Sequence, residues 1–123
     1  MKISCGTDII EIERIKQSID DLGKPFIHRV FTENEIKYCE SKKAQKYQHY
    51  AARFAGKEAV FKAISCILEN KFEISWQDIE ILNDNTGRPY VKILNSNLKN
   101  ITNIDISLSH CKEYAIANVV III

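Results

Sequence analysis

Ala52-Arg53-Phe54-Ala55-Gly56-Lys57-Glu58-Ala59-Val60-Phe61-Lys62-Ala63 lies near the middle of a 123-residue chain. Its alanine density favours helix and allows close packing. The pattern predicts a long helix over residues 44–68. Gly56 costs about 1 kcal/mol relative to alanine inside a helix, so it marks a place where a neighbour comes close. Glu58 and Lys62 are four apart and share a face. Phe54 is four residues before Glu58, so that carboxylate is not on a purely solvated face. Spacing alone allows two readings of Glu58 and Lys62: a surface ion pair, or a carboxylate and an ammonium set to meet a metal-bound phosphate.

Outward toward the N-terminus, residues 2–7 alternate and predict a strand. Asp8 follows near its end. Ile9, Ile12, Ile15, Ile19 and Leu22 then recur at helical steps, predicting a helix from about Ile10 to just before Gly23-Lys24-Pro25. Asp8 is read either as a cap of that helix or as a metal ligand. A short helical turn is expected over 26–30. Thr32-Glu33-Asn34-Glu35 has the form of a capping box that opens another helix through Tyr38 and Cys39.

Outward toward the C-terminus, the period changes to two. Residues 79–93 predict a hairpin turning at Asn83-Asp84-Asn85-Thr86-Gly87. Residues 95–103 are polar and are read as a loop or a short helix. Residues 104–110 form a strand ending at His110, and residues 114–123 form an apolar last strand. The order of elements, a strand, several helices and then antiparallel strands, gives an α+β fold class. The length fits one domain, 1–123.

The net charge is only +1, although residues 37–62 carry seven cations against two anions. That basic stretch has no nucleic-acid-binding motif, so no nucleic-acid partner is expected. No apolar run reaches membrane-spanning length, and no signal-peptide pattern is present. The expectation is a cytoplasmic protein with no membrane partner. Four cysteines, Cys5, Cys39, Cys66 and Cys111, form no CxxC pair and are read as small buried hydrophobes. Thirteen lysines accompany only four arginines, Arg14, Arg29, Arg53 and Arg88. The scarcity, with the enrichment in isoleucine, asparagine and lysine, is most simply read as AT-rich coding. Where arginine remains, its planar fork of donors offers what lysine cannot.

Five blocks, taken together, resemble the holo-acyl-carrier-protein synthases, small bacterial phosphopantetheinyl transferases. They are Gly6-Thr7-Asp8-Ile9-Ile10 with Arg14-Ile15; Phe31-Thr32-Glu33-Asn34-Glu35; Arg53-Phe54-Ala55-Gly56-Lys57-Glu58-Ala59 with Lys62-Ala63; Gly87-Arg88-Pro89-Tyr90; and Ser107-Leu108-Ser109-His110 with Glu113-Tyr114-Ala115. They occur in the family's order and span nearly the whole chain.

The resemblance implies the phosphopantetheinyl transferase fold, an antiparallel sheet packed with a long helix and shorter N-terminal helices. It implies Mg²⁺-dependent transfer of the phosphopantetheine arm of coenzyme A to a serine of apo acyl carrier protein, with release of adenosine 3′,5′-bisphosphate, in support of fatty acid biosynthesis. Asp8 and Glu58 match the metal ligands. Lys62 matches the residue that stabilises the phosphates, and Glu58, directly or through a metal-bound water, matches the base. Arg53, Lys62, Gly87, Arg88, Pro89, Ser109 and His110 match the coenzyme A contacts. Arg14 matches a contact to the carrier protein. A homotrimer with sites between subunits is implied as well. The alternative is a carrier-protein-binding module without catalysis, against which the intact Asp8, Glu58 and Lys62 count.

Overall fold

The computed structural model describes residues 1–70, 74–95 and 97–123. The chain runs β1 (Ile3–Glu11), α1 (Ile12–Leu22), α2 (Lys24–Val30), α3 (Glu33–Glu40) and α4 (Lys46–Ile64). Strands β2 (Ile79–Asn83), β3 (Pro89–Ile93), β4 (Asn103–His110) and β5 (Tyr114–Ile122) follow. Short 3₁₀ turns at Lys43–Gln45 and Trp76–Asp78 precede α4 and β2. One antiparallel sheet has the order β1-β5-β4, and the hairpin β2-β3 forms a second sheet. This is the α+β arrangement expected, with the hairpin set apart from the main sheet.

Helix α4 is the axis of the molecule. Tyr50, Ala51, Ala52, Ala55, Ala59, Val60, Ala63 and Ile64 are all buried, so the helix is covered on nearly every side. One side packs on Ile79, Ile81, Ile106, Ala117, Val119 and Ile121 of the two sheets. The other side packs on Ile15, Ile19, Phe26, Val30 and Phe31 of α1, α2 and the following turn. Each fully buried valine or isoleucine side chain here contributes about 1.5–3 kcal/mol of transfer free energy.

Two glycines set how closely α4 meets its neighbours. A Cβ on Gly56 would lie 2.5 Å from Ile81 Cδ1, which explains the helix-weakening residue at that position. A Cβ on Gly6 would overlap the Ala59 carbonyl oxygen, so β1 crosses α4 in direct backbone contact.

Three expectations need correction. Strand β1 continues past Thr7 to Glu11 because all nine residues pair with β5. Asp8 is therefore inside a strand, and the residue before α1 is Glu11, which makes no side-chain cap. Helix α4 starts at Lys46 and ends at Ile64, where the Ser65 hydroxyl donates to the Lys62 carbonyl. Of the cysteines only Cys39 is buried; Cys5, Cys66 and Cys111 are exposed. In the segment 95–103, Ser96 lies outside the described residues. The others form a turn-containing loop leading into β4 at Asn103, with no helix among them.

Candidate active site

Asp8 reaches α4 because β1 crosses the helix at Gly6. Lys62 Nζ lies 3.2 Å from Asp8 Oδ1 and donates to the Thr7 carbonyl at 2.8 Å. Asp8 has 18% of its side chain exposed and Lys62 has 53%. Glu58, one turn earlier on α4, completes the group. Burial holds its carboxyl above the usual carboxylate range. The Asp8 charge adds to this, and Lys62 acts in the opposite direction. Asp8 and Glu58 line the same groove, where the two carboxylates act on one another.

Asp8, Arg14, Phe54 and Glu58 line a groove of about 550 Å³ between α1 and α4. A second, mostly apolar groove of about 310 Å³ starts on the other side of Glu58, walled by Phe61, Leu68, Ile74 and Trp76. The Trp76 ring is held by stacking on Phe54 and by the edge of Phe61, each at 5.1 Å between centroids. Glu58 thus stands at the border of a polar groove and an apolar one. Among the described residues no group of three or more metal-ligating side chains occurs. Two carboxylates nevertheless suit Mg²⁺, a hard cation that takes a few protein oxygens and fills its remaining positions with substrate phosphates and water.

The other expected site residues gather elsewhere. Arg53 is five residues before Glu58, a rotation of about 140° around the helix. It opens into a different groove of about 430 Å³, with Lys37, Tyr38, Asn83 and Tyr90. Only 2% of Arg53 is exposed. Its guanidinium lies 4.2 Å from the Tyr38 ring centre and its Nη2 donates to Asn83 Oδ1, while its buried Nε has no partner among the described residues. Lys42 Nζ also sits over Tyr38, at 4.7 Å, and His49 packs edge-on to the same ring at 5.5 Å. Burial, then the charges of Arg53, Lys42 and His110, push the His49 imidazole down to about 4. His110 is the exposed last residue of β4.

Gly87, at φ +88°, occupies the hairpin turn, and its carbonyl accepts from Asn83 Nδ2 at 2.9 Å. Arg88 pairs with Asp105 at 3.1 Å with both side chains largely exposed, and Pro89 begins β3. Ser109 is exposed beside His110. The structure therefore brings Asp8, Glu58, Lys62 and Arg14 together, and separately groups Arg53 with Tyr38 and Asn83. It does not put the two groups in one groove.

Sequence reasoning missed His49, Tyr38 and Asn83. His49 was legible, being four residues before Arg53 on the same helix. It also missed Lys57, which is wholly buried against Glu35 at 2.7 Å.

Comparison with known proteins places this geometry. Residues 4–119 match the model of the 4′-phosphopantetheinyl transferase superfamily. The chain is 50% identical to the holo-[acyl-carrier-protein] synthase of Ruminiclostridium cellulolyticum, over 98% of this chain and 92% of that protein. It is 48% identical to the corresponding protein of Protochlamydia amoebophila, over 95% of each. Among solved structures, the holo-(acyl-carrier-protein) synthase from Bacillus anthracis, in complex with CoA (3′,5′-ADP), is 35% identical with a TM-score of 0.80, covering 96% of this chain and 94% of that one. The Helicobacter pylori synthase in complex with coenzyme A is 31% identical with a TM-score of 0.83, covering 95% of this chain and 98% of that one. The chain belongs to the 4′-phosphopantetheinyl transferase superfamily, in its holo-[acyl-carrier-protein] synthase family, and is a phosphopantetheinyl transferase.

Proposed function

We propose that this protein transfers the phosphopantetheine arm of coenzyme A to a serine hydroxyl of apo acyl carrier protein and releases adenosine 3′,5′-bisphosphate, supplying active carrier for fatty acid synthesis in the cytoplasm. The observation that carries the reading is the group Asp8, Glu58 and Lys62 at the border of two grooves. The serine oxygen forms a bond to the phosphorus that bears the pantetheine arm. The bond from that phosphorus to the bridging oxygen breaks, and the adenosine bisphosphate leaves with the electron pair. Glu58 accepts the serine proton, a role favoured by a carboxyl already raised by burial and by Asp8. Lys62 places an exposed ammonium beside Asp8, where it faces charge on the phosphates.

Asp8 and Glu58 would hold Mg²⁺, which supplies charge neutralisation at the pyrophosphate. The apolar groove beyond Glu58 suits the uncharged arm, and the polar groove in front suits the carrier, with Arg14 on its wall. Arg53 and His110, with Gly87, Arg88, Pro89 and Ser109 nearby in the sequence order of the family, would hold the nucleotide end. The separation of Arg53 from Glu58 within one chain favours a site completed by a neighbouring copy, as a homotrimer would provide. The outer face of the β1-β5-β4 sheet favours it too, with Ile3 65%, Ile9 60% and Val120 45% exposed.

The test is mass spectrometry of apo acyl carrier protein incubated with coenzyme A, Mg²⁺ and the protein. The carrier should gain the mass of phosphopantetheine; no gain on any carrier sinks the reading. Asp8→Asn should raise the Mg²⁺ concentration needed for turnover, and normal activity at limiting Mg²⁺ would remove Asp8 from the ligand set.

A further inference from the structure

The groove in front of Asp8 and Glu58 has helix α1 as its second wall, and the charges on that wall are mixed. Arg14 and Asp21 both line the groove. They are seven residues apart, which places them on one helix face, about 10 Å apart along the axis. Both are exposed. Among the described residues neither enters any of the ion pairs found, which join Lys46 to Glu40, Lys57 to Glu35, Lys62 to Asp8 and Arg88 to Asp105. Asp20 behaves differently. Its Oδ1 accepts from the Tyr47 hydroxyl at 3.2 Å, and it is not part of the groove lining. Leu22, next to Asp21, also lines the groove and is 56% exposed. With Asp8 and Glu58 at its floor, the groove as a whole is acidic.

A carrier surface that is acidic throughout meets attraction at Arg14 and repulsion at Asp21. We propose that Asp21 is a specificity determinant for the carrier: the α1 wall selects a carrier segment that presents an anion to Arg14, an apolar side chain to Leu22 and a cation or neutral donor to Asp21. Like charges facing one another across an interface suppress wrong partners more effectively than matched charges strengthen right ones. This inference rests on the transferase reading and names the partner chemistry of that same groove.

The experiment measures phosphopantetheinylation of an apo acyl carrier protein and of variants in which the acids flanking its acceptor serine are changed singly to lysine. Each carrier is assayed with the wild-type enzyme, Asp21→Asn, Asp21→Lys and, as a control of equal charge change, Asp20→Lys. With wild type, at least one carrier reversal should lower the carrier KM roughly two- to fivefold, the range of an exposed charge pair. The same reversal should raise KM with Asp21→Lys, and Asp21→Asn should fall between. The KM for coenzyme A should be the same in all four enzymes. Absence of any reversal that responds to Asp21, or an equal response with Asp20→Lys, overturns the proposal while leaving the transferase reading intact. Failure of every carrier to gain phosphopantetheine with wild type overturns the transferase reading instead.

Discussion

Lys57 and Lys62 are five residues apart on α4 and each has a carboxylate partner, yet they belong to different kinds of site. Lys57 has no exposed side-chain surface, and neither does Glu35, 2.7 Å away. Its other two N–H groups donate to the Val30 carbonyl at 2.7 Å and the Trp76 carbonyl at 2.9 Å. Three donors therefore meet three acceptors, which uses up the ammonium. Burial pulls Lys57 below its ordinary value, and the Glu35 charge opposes this. Lys62 is half exposed and makes one backbone bond and one longer contact to Asp8. The tighter pair has no capacity left for a ligand, and the looser pair does. In this molecule the better-satisfied ion pair is closed off from solvent, and the under-satisfied one stays open to it, with Asp8 on the groove wall.

That contrast breaks most clearly at Lys57. Lys57→Met leaves a buried carboxylate without its partner and should cost about 3–5 kcal/mol of unfolding free energy. In denaturant titration, Lys57→Met with Glu35→Gln should recover part of that loss. A single variant within 1 kcal/mol of wild type would erase the distinction between the two lysines. Lys62→Ala should do the reverse. Its kcat should fall by about 10²–10³, as for loss of one preorganised donor, while stability changes by less than about 1 kcal/mol. A stability loss equal to that of Lys57→Met would place both residues in the same class.

A smaller effect is expected one step out from the buried pair. Glu35 also accepts from the Thr32 amide at 2.8 Å, while Thr32 Oγ1 accepts from the Glu35 amide and donates to Glu80 at 2.6 Å. Thr32→Ala should cost about 1–2 kcal/mol through the lost cap and the freed Glu80. Restoration by Thr32→Ser in thermal unfolding would confirm that the hydroxyl is responsible.

The smallest effect is a pH slope from the residues around Arg53. The folded His49 stays neutral down to about 4, while an unfolded histidine takes a proton near 6.5. The unfolded chain thus binds more protons across that window, and stability falls as pH drops through it. His49→Gln should flatten this part of the urea midpoint against pH curve. An unchanged slope would show that neither burial nor the neighbouring charges lower His49 in the folded chain.

Much of this was legible in the sequence because it is local. The capping box needs only Thr32 and Glu35, and the hairpin needs only the turn at 83–87 between alternating runs. His110 was placed at a strand end by the period-two pattern before it. What stayed hidden depends on distant residues. Glu35 reads as a cap, but its second oxygen accepts from the Ile81 amide at 2.8 Å, 46 residues away. Asp8 reads as a helix-start residue because Ile9, Ile12 and Ile15 keep helical spacing. Pairing with β5 overrides that pattern and extends the strand to Glu11. Cys5, Cys66 and Cys111 read as core and are not, because a small apolar side chain tolerates either environment.

The contact of Gly6 with the Ala59 carbonyl has one more consequence. Asp8 is two residues along the strand from that joint, and Glu58 is one residue back along the helix. With no side chain to compress between them, strand and helix cannot slide past each other without breaking backbone packing. The backbone positions of the two carboxylate residues relative to one another are therefore set by main-chain contact. In the reading proposed above, in which Asp8 and Glu58 would hold Mg²⁺, the smallest residue in the first strand would thus help set how far apart the two ligand-bearing backbones stand.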